Sequence, residues 1–124
     1  MSGPRILIVE DSTMVRITVK RTLLSVDFVV EEAKDGQEGL DKAIQSDPPF
    51  DLILTDLNMP NMDGLTMIQK LRETEAYATT PIVMLTTESG EDKKAMGHSS
   101  GISAWLVKPF EPDALIETVG GMLF

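Results

Sequence analysis

Five short runs of aliphatic and β-branched residues punctuate the chain, at positions 5–9, 28–33, 52–55, 81–86 and 104–107. Three are nearly continuous apolar stretches rather than alternating ones, the pattern of strands covered on both faces. Between the runs, apolar residues recur at helical spacing. Val15, Val19, Leu23 and Val26 form one stripe on a helix predicted to begin near Ser12. A second helix is expected after Asp35, an N-cap with Glu38 three residues on, carrying Leu40, Ala43 and Ile44 toward the core. Leu65, Ile68 and Leu71 mark a third. A fourth, over residues 90–99, has few apolar positions beyond Ala95 and Met96 and reads as largely exposed, its His98 facing solvent. Pro112 suits the first turn of a fifth, with Leu115, Ile116 and Val119 inward. Five β-α pairs at this spacing predict an α/β fold: a doubly wound parallel sheet with helices on both faces, filled by one domain over residues 1–124 with no output domain.

In open α/β sheets, sites form beyond the carboxyl ends of the strands. Those ends carry Glu10 and Asp11 after the first strand, Asp56 after the third, Thr86 after the fourth and Lys108 after the fifth. Each has an ordinary explanation. Asp56 suits the turn at 57–60, Glu10 or Asp11 a helix cap, Thr86 a strand, and Lys108 a snorkelling surface position. None explains why they meet at one sheet edge. Clustered carboxylates repel unless a cation joins them, and hard oxygen donors suit Mg²⁺. With the charge offset, a phosphoryl group can approach Asp56, and a carboxylate nucleophile yields an acyl phosphate. Lys108 then serves as a point charge for one phosphoryl oxygen and Thr86 as a hydrogen-bond donor to another.

Composition narrows the classes. Hydrophobic residues make up 42% and charged residues 25%, ordinary for a globular chain. The formal net charge of -9 opposes binding to DNA or to anionic membranes. The absence of cysteine excludes disulfides and thiolate chemistry. The apolar run at the start is too short for a signal peptide, and no segment is long enough to span a bilayer, so a cytoplasmic location is expected.

Glu10-Asp11-Ser12, the run DLNMPNMDG from Asp56 to Gly64, Thr86-Thr87-Glu88-Ser89 and Lys108-Pro109-Phe110 together resemble the receiver domain of two-component response regulators. The resemblance covers essentially the whole chain and is strongest to stand-alone chemotaxis regulators of the CheY type. It implies a flavodoxin-like (βα)5 sheet of order 2-1-3-4-5. Asp56 would accept phosphate from the phosphohistidine of a sensor kinase or histidine phosphotransferase. Asp11, Asp56 and the backbone carbonyl of Asn58 would ligate Mg²⁺ (or Mn²⁺), with Glu10 joining through water. Lys108 would pair with the phosphoryl group and Thr86 would be the switch hydroxyl; the Lys108–Pro109 peptide is cis in the family.

The same resemblance casts Asn58 and Glu88 as tuning how water reaches the acyl phosphate, for a lifetime of seconds to minutes. It makes the chain a monomeric switch rather than an enzyme, whose fourth helix, fifth strand and fifth helix form the surface read by a downstream protein, such as a flagellar motor switch. Trp105 departs from the family's usual Tyr, Phe or His. Its larger indole is compatible with partial movement on activation or with static packing. A relay intermediate or phosphate sink fits the same residues. A haloacid dehalogenase-type phosphatase is disfavoured because Asn58 stands where a second acid is needed. An FMN binder is disfavoured because Glu10 and Asp11 would repel the phosphate.

Overall fold

The computed structural model describes residues 3–86 and 101–123. Five parallel strands, β1 (Arg5–Val9), β2 (Val29–Ala33), β3 (Leu52–Asp56), β4 (Ile82–Thr86) and β5 (Ala104–Val107), form one sheet of order β2-β1-β3-β4-β5. The described helices are α1 (Thr13–Leu24), α2 (Gly36–Gln45), α3 (Gly64–Arg72) and α4 (Pro112–Leu123), with a 3-10 turn at Glu75–Tyr77. The segment expected to form a fourth helix, together with Glu88 and His98, lies outside the described residues, so α4 is the helix predicted from Pro112. No described helix is long and apolar enough to cross a membrane.

Successive side chains of a strand point to opposite faces, and here both faces are covered. Ile6, Ile8, Leu52, Leu54, Val83 and Leu85 pack with Val19 and Leu23 of α1 and with Leu115 and Val119 of α4. Leu7, Val9, Ile53, Ile82 and Met84 pack on the other face with Leu40 and Ala43 of α2 and with Met67, Ile68 and Leu71 of α3. That double coverage is why the three central strands read as unbroken apolar runs. The outer strand β2 carries Glu31 exposed and Glu32 half-buried instead.

The helix starts follow their caps. Ser12, Asp35 and Asp63 accept from the N–H groups of Val15, Glu38 and Thr66 at 3.3, 2.8 and 2.7 Å. Strand edges shift by a residue from expectation. β2 begins at Val29 and β4 at Ile82, while β3 runs one residue further and ends in Asp56 itself.

Ile44 is a correction: it is 58% exposed. The buried face of α2 is Gly36, Gly39, Leu40 and Ala43. Gly39 sits so close to β1 that an added Cβ would lie 2.7 Å from a methyl of Val9. That approach turns the helix so that Ile44 falls on its outer side. Val26 lies past the end of α1 and Ile116 is only half-buried.

Tyr77 ties the far side of the sheet together. Its hydroxyl donates to the Ala43 carbonyl at 2.7 Å and accepts from the Phe50 N–H at 3.2 Å, both in buried surroundings. Tyr77→Phe is expected to cost about 2 kcal/mol by leaving both groups unpaired. A lower urea midpoint at unchanged slope checks this; an unaltered midpoint contradicts it.

Candidate functional site

Asp56 is carried to the sheet edge as the last residue of β3, and the chain behind it is pinned. Leu57 donates its N–H to Asp56 Oδ1 at 2.9 Å, and Thr55 Oγ1 donates to the Asp56 carbonyl at 2.9 Å. The start of α3 then folds back onto the strand end, with the Gly64 N–H on the Leu57 carbonyl at 2.9 Å. A Cβ on Gly64 would fall 2.2 Å from the Asp56 carbonyl oxygen, so only glycine allows this return. The loop is braced from α2 as well. Asn61, at φ 68°, donates from Nδ2 to Asp35 Oδ2 at 2.8 Å, and Gly36 N–H bonds the Met62 carbonyl at 3.1 Å.

The strand-end residues do converge. Carboxylate oxygens of Glu10, Asp11 and Asp56 all lie within 4.8 Å of one another. Glu10 is buried at 1% exposure, Asp56 is mostly covered and Asp11 is on the rim. Lys108 reaches in from the end of β5, its N–H fixed on the Thr86 carbonyl at 2.8 Å. Its Nζ lies 2.7 Å from Glu10 Oε2 and 3.3 Å from Asp56 Oδ1. The other Glu10 oxygen accepts from the Ser12 N–H at 3.1 Å. The Lys108–Pro109 peptide is cis, as is Asp47–Pro48.

Thr86 ends β4, buried at the same edge and one strand from Asp56. Asn58 follows Asp56 with its side chain exposed. Trp105 lies in β5 opposite Met84, half-buried against the α2/α3 core, and its buried Nε1 has no hydrogen-bond partner among the described residues. Glu88 is outside the described residues.

Among the described residues, three carboxylates against the Lys108 ammonium leave this edge negative. Burial pushes the Asp56 carboxyl above its ordinary value, opposed in part by the Lys108 charge and the Leu57 N–H, while Asp11 adds to the rise. Burial likewise raises Glu10, against its hydrogen bonds from Lys108 and Ser12. Loss of hydration alone would depress Lys108, but its bond to Glu10 and the Asp56 charge outweigh that, and its pKa is raised. An all-oxygen donor set, partly desolvated and with negative charge in excess, fits a hard divalent cation.

One bond of this loop escaped the sequence. Asp35 was legible as a helix cap, but its second bond, to Asn61, was not. An asparagine after proline in a turn is the available signal, since Asn tolerates positive φ.

A model of the response regulator receiver domain family matches residues 6–120. The chemotaxis response regulator CheY4 of Vibrio cholerae superposes with a TM-score of 0.92 and 41% identity, over 98% of this chain and 100% of that one. The receiver domain of sensor histidine kinase PA1611 from Pseudomonas aeruginosa PAO1, solved with a magnesium ion coordinated in its active site cleft, gives a TM-score of 0.90 at 25% identity, covering 98% of both chains. The transcriptional regulatory protein ResD of Bacillus subtilis is 34% identical over 119 residues, 96% of this chain and 48% of ResD. The chain spans about half the length of the curated relatives it matches.

Proposed function

The chain belongs to the response regulator receiver domain family, and on that premise we propose that it is a phosphoacceptor switch in which Asp56 takes a phosphoryl group from a histidine donor. The observation that carries this reading is the meeting of Glu10, Asp11, Asp56 and Lys108 at one sheet edge. One Asp56 oxygen, Oδ1, receives both the Leu57 N–H and Lys108. The other is the oxygen that bonds to phosphorus as the phosphorus–nitrogen bond of the phosphohistidine breaks; the electron pair leaves with the imidazole. Lys108 steadies a phosphoryl oxygen, and Thr86 donates to another. Asp11, Asp56 and the Asn58 carbonyl would hold Mg²⁺ or Mn²⁺, with Glu10 joining through water. When bound, the cation neutralises charge on the transferring group. Asn58 and Glu88 govern water access to the acyl phosphate, giving a lifetime of seconds to minutes.

Acetyl phosphate and Mg²⁺ test this by intact mass. The expected result is one phosphoryl adduct that needs the metal and decays within minutes of donor removal. No adduct, or one persisting for hours at neutral pH, contradicts the reading.

The donor is a sensor histidine kinase or histidine phosphotransferase, and the reader a downstream protein meeting a surface that includes β5 and α4. The 41% identity to a chemotaxis regulator over its full length supports a chemotaxis-like switch, read here as a cytoplasmic monomer, and the net charge of -9 disfavours DNA and anionic membranes as its partners. A second reading, the receiver module of a longer transcriptional regulator, is favoured by the match to half of ResD. Trp105 takes part in the switch. A buried N–H without a partner costs about 1–3 kcal/mol, a cost that a conformer giving the indole an acceptor or water would relieve. Saturation with beryllofluoride is expected to change its emission, and an unchanged spectrum would mean static packing.

A further inference from the structure

The peptide joining Glu10 to Asp11 is held from outside the acid cluster. Arg16, in the first turns of α1, donates from Nη1 to the Glu10 carbonyl at 2.7 Å. The peptide before it is tied to the sheet, the Glu10 N–H bonding the Ala33 carbonyl of β2 at 3.0 Å. Arg16 is itself anchored: its Nε lies 3.3 Å from Glu32 Oε1 on β2, and its side chain is only 18% exposed. The second Glu32 oxygen pairs with Lys20 at 3.0 Å, and the Glu32 carbonyl accepts from Lys42 of α2. The Lys20 hydrogen bond, aided by the Lys20 and Arg16 charges, keeps the Glu32 carboxyl below its usual range despite partial burial, so Glu32 stays ionised as the anchor.

We propose that Arg16 is a positioning residue for the acid pair: by holding the Glu10–Asp11 peptide between α1 and β2, it fixes the aim of the rim carboxylate of Asp11 toward Asp56 and presets the oxygen cluster for a divalent cation. This rests on the metal-assisted phosphoacceptor reading. The alternative effect of Arg16 is a bare charge, and its sign is opposite. A cation near carboxylates weakens their hold on another cation, so charge alone predicts tighter Mg²⁺ binding when Arg16 is removed. Positioning predicts weaker binding, as loss of an outer partner of a metal ligand typically costs 10–100-fold in affinity.

Calorimetric titration of Mg²⁺ into the parent chain, Arg16→Ala, Arg16→Lys and Glu32→Gln separates the two, with circular dichroism to confirm the fold. Arg16→Ala is expected to bind Mg²⁺ roughly 10-fold more weakly. At saturating Mg²⁺ its rate of adduct formation should stay within about two-fold of the parent, because the lost interaction acts on metal binding. Arg16→Lys keeps the charge but lacks the fork that spans both partners, so it restores affinity only in part. Glu32→Gln frees Arg16 from its anchor and weakens binding without touching the cluster. Equal or tighter binding by folded Arg16→Ala overturns the inference. Should that variant not fold, parent-like binding by both Arg16→Lys and Glu32→Gln overturns it instead. A parent that binds no Mg²⁺ overturns the metal reading, and this inference with it.

Discussion

Asp56→Asn is expected to abolish the phosphoryl adduct and, in the metal-free protein, to raise stability. The two effects share one cause. Asp56 can act as a nucleophile only as a carboxylate, yet as a carboxylate it stands with Glu10 and Asp11 at a covered edge where, among the described residues, Lys108 is the facing ammonium. Its pKa in the folded chain is raised, by burial first. A carboxyl with a raised folded pKa destabilises the fold once ionised. That penalty is absent below the unfolded pKa, grows as pH rises through the interval between the two values, and is complete above the folded one. Asparagine keeps the shape, and its carbonyl still accepts from the Leu57 N–H, while Lys108 retains Glu10. The gain at neutral pH should be about 1–2 kcal/mol, shrinking in acid. Mg²⁺ should then stabilise the parent more than the variant, narrowing or reversing the difference. Melting curves of both proteins with and without Mg²⁺ check this. A metal-free variant no more stable than the parent would contradict the electrostatic account of the site.

Gly64→Val is the second large effect. The helix that follows the loop after Asp56 begins against the strand end, and the position of a Cβ is already occupied by the Asp56 carbonyl oxygen at 2.2 Å. Neither partner is the end of a flexible side chain, so α3 must separate from β3. A loss on the order of 3 kcal/mol is expected, along with slower adduct formation, since the same carbonyl belongs to Asp56. Denaturant titration and the acetyl phosphate assay read the two together. A stability within about 0.5 kcal/mol of the parent, the range of an ordinary surface change, would mean that the loop accommodates the side chain.

The sequence revealed more of the site than of its supports, for physical reasons. Glu10 and Lys108 are 98 positions apart, yet parallel strands bring all carboxyl ends to one edge, so topology alone joins them. Asp56 was visible because a buried strand ran directly into it. The central strands were legible because both faces are apolar, whereas Ile44 misled because helical spacing does not say which side of Ala43 turns inward. Gly39 against Val9 decides that, through a close approach visible only in three dimensions. Arg16 was invisible for a similar reason. Its partners are a backbone carbonyl and a neighbouring strand's carboxylate, neither of which a spacing rule selects.

Borohydride converts an aspartyl phosphate to homoserine and so records where the phosphoryl group had been. After incubation with acetyl phosphate and Mg²⁺, homoserine is expected at position 56, and none when Mg²⁺ is omitted. Homoserine at Asp11 or elsewhere, or a stable phosphoryl adduct with no reducible aspartate, would contradict it.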